Sequence, residues 1–483
     1  MNIIALIEDL VKELLEAEDN FFDNLKNFPE YEETVNLASQ TFASRFLGSS
    51  LTAADEMIRK SSKRKSNYNI QRKDRRSLIS TVGDIEFEHT LYKNREDGTY
   101  QYLLDEMLNL PRHERLTTMA EAKILNEAEV YSYQHAAESL RTKNETITKT
   151  TVENKVHAIE DLIPEEESLP EEEKKTVKYL HIEADEDHIH RQKNGQEDGC
   201  MIGKLIYLFE GKEDVCDGRR RLIEPHYFGG LYSGSESNGQ LWDQVEKYIE
   251  HHYDQEYLKQ VYISGDGGGW IKAGVDHIDK GVFVADKFHL MKYINRVANL
   301  DDDKRKRKDT KSRFYKYIQK DKLSAAKKLL TRIGNRTGRK DVTDNIAVYF
   351  ENNWNALQKA FHDKNVYGCS AEGHVSNVLS DRMSSRPMGW SEIGCDRMCK
   401  LRCFVRNNGR EKVVDLVKYR REKDMERRLP ATGTDGMVDQ KERVRYTKEQ
   451  REAYTYIEQL QATLGNNSTI RRTLAIREQI GNI

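Results

Sequence analysis

With 483 residues the chain is long enough for two to four domains and at least one sizeable core. Its 37% apolar content, 24 Tyr and 14 Phe exclude global disorder, and six cysteines without paired spacing exclude a disulfide framework. The formal net charge is only −3, so any affinity for nucleic acid must come from where charge is placed.

Residues 1–70 read as a helical region in which Ile3, Ile4, Ile7, Leu10, Val11, Leu14 and Leu15 form one apolar face. Its first 25 residues carry seven acids against one lysine and lack a basic leader, which argues for an amphipathic helix over a signal peptide. No apolar run reaches the roughly eighteen residues that a membrane span needs, so a cytoplasmic protein is expected. Residues 71–115 suggest a small hairpin module, with strand residues Val82, Ile85, Phe87, Thr90 and Tyr92 and the turn sequence "NREDG". Residues 116–163 divide into helices near 120–128, 132–140 and from about 147. That pattern fits a helix-turn-helix DNA reader or a plain helical hairpin.

The segment 164–175, "PEEESLPEEEKK", is expected to be an acidic linker. Strand patterns and helices then alternate over 176–286, predicting an α/β core with a mixed sheet. Residues 287–365 read as a basic helical insertion; between 286 and 340 lie nineteen Lys or Arg against six Asp or Glu. Residues 366–406 return to the core, and 407–483 are polar and partly helical. Cys395, Cys399 and Cys403 recur every four residues on one helix face, which suits buried small side chains better than a metal site without a fourth ligand.

Three acids sit where strands end or a helix begins. Asp185 follows the apolar run containing Val177, Leu180 and Ile182; Asp266 follows "VYIS" and precedes Gly267, Gly268 and Gly269; Glu372 opens a predicted helix. Phosphodiester chemistry needs converging carboxylates, because Mg²⁺ takes few protein ligands and completes its shell with phosphate oxygens. Helix capping and turn propensity account equally for Glu372 and Asp266 taken alone. Asp187 shares a strand face with Asp185 and is an alternative first acid. Glu183 is a weaker one, and Glu392 and Asp396 are imitators of Glu372. The three glycines lack the spacing and lysine of an ATP phosphate loop, so no nucleotide cofactor is expected.

The segments "HIEADEDHIHRQ", "ISGDGGGWIKAG", "ADKFHLMKYI" and "AEGHVSNVLSDRMSSRPMGW" together resemble a bacterial insertion-sequence transposase family. It is the type named after a Lactobacillus reuteri element and long catalogued as an uncharacterised protein family. The resemblance covers nearly the whole chain. It implies a ribonuclease-H-like catalytic core interrupted by a helical insertion, with Asp185, Asp266 and Glu372 as a metal-binding catalytic triad. It also implies Mg²⁺, with Mn²⁺ able to substitute, and cleavage and joining of DNA at terminal inverted repeats and a target.

The same resemblance makes "Asp286-Lys-Phe-His289" an element in which His289 contacts the scissile phosphate or positions the triad. An ordinary helix-start histidine is the other reading. Lys304, Arg305, Lys306, Arg307 and Lys308 are then expected on DNA phosphates, with Arg382 and Arg386 as further backbone contacts and Trp390 as core or a base-stacking side chain. Two DNA ends in one complex imply a homo-oligomer, at least a dimer. A metal-dependent nuclease or resolvase and a domesticated DNA-binding protein are the rival readings.

Overall fold

The computed structural model describes residues 3–140, 146–159, 168–192, 199–216, 219–386, 388–428 and 437–459. They form two compact units, one of residues 1–121, 140–146 and 420–483, the other of residues 122–139 and 147–419.

In the first unit, α1 (Ile3–Asp23) packs along α2 (Phe28–Lys60), and α3 (Ser62–Asn67) leads into an antiparallel sheet of β1 (Tyr68–Ser80), β2 (Gly83–Asn94) and β3 (Tyr100–Tyr102). Ile58 of α2 closes a core with Tyr68, Leu78, Ile85, Phe87 and Tyr92. Asp55 is fully buried and accepts from the Thr90 backbone N–H at 2.9 Å, so helix and sheet are joined by a polar contact as well. The hairpin is longer than the sequence suggested. Residues 69–73 of β1 are exposed and carry no apolar alternation, and Val82 lies in the turn rather than in a strand. After α4 (Leu103–Met107) comes α5 (Thr118–Val130), within which the chain passes to the second unit.

The second unit continues through α6 (Tyr133–Glu138) and α7 (Lys149–His157) to β4 (Tyr179–His190), β5 (Cys200–Phe209), the ribbon β6 (Gly211–Cys216) and β7 (Arg219–Ile223), and β8 (His226–Leu231). Then follow α8 (Gly234–His252), β9 (Gln260–Gly265), α9 (Gly269–Lys272), α10 (Gly274–His277) and β10 (Gly281–Ala285). The five-stranded sheet has the order β10-β9-β4-β5-β8. β9 and β10 run parallel to the central β4, whereas β5 is antiparallel to β4 and β8 to β5. Alternation along β4 sends Leu180, Ile182 and Ala184 into a core with Leu241, Trp242, Val245 and Ile249 of α8. Glu183, Asp185 and Asp187 therefore belong to the other face.

Residues 287–362 fold as α11 (Lys287–Ala298), α12 (Lys304–Gln319), α13 (Leu323–Thr337) and α14 (Lys340–His362) around their own core, in which Phe314, Leu330, Ile346 and Phe350 are buried. The chain returns through α15 (Ala371–Val375), a π-type turn at Ser376–Ser380 and α16 (Asp381–Met383) to α17 (Glu392–Asn408). Cys395, Cys399 and Cys403 are buried on α17, and a Cβ at Gly229 of β8 would come within 2.9 Å of the Cys403 sulfur. Glycine there lets the cysteine face of α17 lie close against the sheet. The remaining helices are α18 (Val413–Arg428), whose end belongs to the first unit, and α19 (Gln440–Gln459). In that unit Arg421 is fully buried and pairs with Glu121 at 2.7 Å.

Two expected boundaries change. Of the segment 116–163 expected as a DNA-reading module, residues 122–139 and those from 147 are built into the second unit. Arg382 donates to the Ala128 carbonyl at 3.0 Å, Arg402 pairs with the buried Glu129 at 3.0 Å, and His157 meets the Ser391 hydroxyl at 3.5 Å. Of the expected linker 164–175, residues 164–167 fall outside the described residues. The rest is pinned: the Leu169 N–H donates to the His251 carbonyl, and Lys175 pairs with Glu210 at 3.1 Å and Glu224 at 3.0 Å. Lys175 is thus tied down by partners far away in sequence, whereas Glu171, Glu172 and Glu173 stay exposed.

Candidate active site

The parallel strands β4, β9 and β10 each bring an aspartate to the same edge of the sheet: Asp185 near the end of the β4–β9 pairing, Asp266 directly after β9, and Asp286 directly after β10. Ends of parallel strands are where open α/β sheets bind ligands, because the crossing connections leave a crevice there. Asp286 is buried. One of its oxygens caps α11 by accepting from the Phe288 N–H at 2.8 Å, and the other contacts His289 Nδ1 at 2.8 Å. Asp266 accepts from the Gly268 N–H at 2.8 Å, and Gly267 takes φ +96°, so the turn reading of this acid holds for one of its oxygens.

Asp185 is half-buried, and one of its oxygens accepts from the Glu186 N–H at 2.9 Å. Burial first, and then the negative charge of Asp266, push its carboxyl up to about 6, although the Glu186 N–H and His289 pull the other way. His289 is held above the ordinary imidazole range, mainly by its hydrogen bond to Asp286 and further by Asp266 and Asp185. These residues form one electrostatic cluster: two carboxylates that repel each other and a histidine oriented between acids.

Asp187, the alternative first acid, accepts from the Ser384 hydroxyl at 2.8 Å. Glu186 faces the other way and accepts from Trp270 Nε1 at 2.9 Å, fixing the loop that follows Asp266; Lys204 also lies over the Trp270 ring at 4.7 Å. Glu372 stands in the first turn of α15, which packs against β4, and its side chain is exposed. Among the described residues, no three His, Cys, Asp or Glu side chains form a ready metal cluster. Asp185 and Asp266 come together, and Glu372 rides on the adjoining helix. The donor pair fits Mg²⁺, which takes one or two protein carboxylates and fills its octahedron with water and phosphate.

The basic run Lys304–Lys308 forms the opening turns of α12, capped by Asp303, whose carboxylate accepts from the Arg305 N–H at 2.8 Å. Lys304, Arg305, Lys306 and Lys308 are exposed, whereas Arg307 is half-buried and donates to the Asp301 carbonyl at 2.6 Å. Arg386 is half-buried. Arg382 corrects the sequence reading. It is 2% exposed, donates to Ala128, and lies 4.7 Å from the Trp390 ring and 5.7 Å from that of Tyr133. Its guanidinium is an internal brace and reaches no phosphate. Trp390 is core as well, donating to the Met383 carbonyl at 3.0 Å.

A match to the model of the uncharacterised protein family UPF0236 spans residues 21–420. The chain belongs to that family. Among its relatives, a UPF0236 protein of Caldanaerobacter subterraneus subsp. tengcongensis is 33% identical over 404 residues, covering 83% of this chain and 82% of that protein. The name of that relative joins eleven loci of one strain. A second from the same strain is 35% identical over 358 residues, covering 74% of this chain and 73% of its own length. A UPF0236 protein of Streptococcus gallolyticus, named for a vanSb 3′ region, is 24% identical over 355 residues, covering 70% of this chain and 74% of that protein. Among solved structures, a chain of the Drosophila P element transposase strand transfer complex matches at 9% identity, covering 67% of this chain and 94% of that one. Its TM-score of 0.22 is too low to carry an argument about fold or function. No helix among the described residues is long and apolar enough to cross a membrane.

Proposed function

We propose that this UPF0236 member is a DNA transposase that cleaves and joins strands at the Asp185–Asp266 edge of its sheet, with Glu372 as the third acid. The observation that carries the reading is that the neighbouring parallel strands β4 and β9 bring Asp185 and Asp266 to one end of the sheet, where burial and then the Asp266 charge raise Asp185 to about 6. A divalent cation relieves that repulsion. Bound there, Mg²⁺ would lower the barrier to attack by water or a 3′ hydroxyl and stabilise the departing oxygen. Asp185 and Asp266 would hold it, while Asp286 orients His289 toward the pair and Glu186 steadies the loop through Trp270.

Further support comes from the sheet. Three antiparallel strands extended by two parallel ones on the side of the first strand suit a ribonuclease-H-like core, and the four-helix insertion falls between the second and third acids. Relatives that occupy eleven loci of one strain are what a self-copying element leaves behind. The exposed head of α12 would neutralise DNA phosphates.

The test is incubation of purified full-length protein with its own element's end DNA and a target plasmid in Mg²⁺. Joined products that need all three of Asp185, Asp266 and Glu372 are expected. Cleavage without joining would replace the reading with a nuclease, and sequence-specific binding without cleavage with a DNA-binding protein.

A further inference from the structure

The segment 363–370, which brings the chain back from the insertion to α15, is fastened to the sheet by hydrogen bonds and a ring contact. Tyr262 of β9 donates to Asp363 at 2.8 Å, and the Tyr367 ring meets His181 of β4 with centroids 4.7 Å apart. At the end of the segment lies a buried node. Lys212 of β6 donates to Glu183 at 2.8 Å, to the Gly368 carbonyl at 2.5 Å and to the Ser370 hydroxyl at 3.1 Å. Glu183 accepts in turn from the Ser370 N–H at 2.6 Å, from its hydroxyl at 3.0 Å and from the Tyr207 hydroxyl. The Lys212 and Glu183 side chains are only 6% and 3% exposed. Just beyond, Tyr227 and His374 of α15 share a hydrogen bond at 3.0 Å.

Ser370 is two residues before Glu372, and Glu183 is two residues before Asp185 on the same strand face. The node therefore spans the two chain segments that carry the first and third acids. Resting on the transposase reading, we infer that Glu183 and Lys212 are positioning residues that set the start of α15, and with it Glu372, against Asp185. The pair is neutral as a unit, and Ser370 reads its register: its N–H and hydroxyl fit one carboxylate oxygen while Lys212 holds the other. Sliding α15 by one residue would leave a buried carboxylate and a buried ammonium short of partners, which low-dielectric surroundings punish heavily.

The test uses full-length protein and two readouts, Mn²⁺ binding followed by electron paramagnetic resonance and cleavage of end DNA as a function of Mn²⁺. Glu183→Gln and Lys212→Met are expected to weaken the Mn²⁺ midpoint by about tenfold or more, as loss of outer-shell support does elsewhere. End-DNA affinity measured without metal is expected to stay unchanged. Ser370→Thr, which keeps both donors, is expected to retain the wild-type midpoint, whereas Ser370→Ala shifts it. A drop in thermal stability with no change in Mn²⁺ midpoint would overturn the inference, leaving the pair a structural contact only. Absence of Mn²⁺ binding and of cleavage in wild type would instead overturn the transposase reading itself.

Discussion

Two stretches of the same strand face differ sharply. Glu183 is buried with its charge met by Lys212 and its oxygens by Ser370 and Tyr207, whereas Asp185, two residues on, sits half-buried beside the like-charged Asp266. Glu183 is given its counter-charge by the chain. On the proposed reading Asp185, with only His289 and the Glu186 N–H pulling against burial and Asp266, is left for an incoming cation to neutralise.

The largest effect should come from the unsatisfied side. Asp185→Asn or Asp266→Asn is expected to cut Mg²⁺-dependent strand transfer by roughly 10³-fold or more, since groups that act as a unit fail together. Gel-resolved joined products give the measurement. If Asp187→Asn abolished joining while Asp185→Asn did not, the contrast within β4 would be assigned to the wrong acid.

Next in size is the satisfied side. Glu183→Ala strands the Lys212 ammonium in a buried site and is expected to cost about 3–5 kcal/mol in urea unfolding. Asp185→Asn should act with the opposite sign. Its folded-state pKa is near 6 against an ordinary 3.8, so the folded protein holds an extra proton between those values and loses stability as pH rises through them. Removing the charge should therefore stabilise the metal-free protein by about 1–3 kcal/mol at pH 8 and by almost nothing below pH 4. Equal effects at both pH values would break the electrostatic explanation.

The smallest effect concerns the cations. Replacing Lys304, Lys306 and Lys308 with alanine is expected to flatten the salt dependence of DNA binding by up to about 0.9 for each phosphate no longer neutralised. Arg382→Met should lower stability and leave that slope alone, because the guanidinium is spent on Ala128, Tyr133 and Trp390.

What could be read in advance follows from how local each signal is. The helical insertion was legible because α11–α14 carry apolar residues at helical spacing, and β4 and β9 because their apolar runs stop at an acid. β1 was not, since its outward residues Arg72 and Lys73 break the alternation that marks a half-buried strand. Arg382 misled because "LSDRMSSRPMGW" looks polar, and its burial depends on Ala128, 254 positions earlier. The Glu183 node was equally hidden: Lys212 and Ser370 lie 29 and 187 positions away from it. The Asp286–His289 contact, three residues apart, was within reach of the sequence, and it suits both the motif and an ordinary helix start.

The most direct measurement is the unfolding temperature of wild type, Asp185→Asn and Asp266→Asn at pH 8 during a Mg²⁺ titration. Saturable stabilisation of wild type, absent in both variants, is the expected result. Identical Mg²⁺ responses in all three would contradict the assignment of this sheet edge as the cation site.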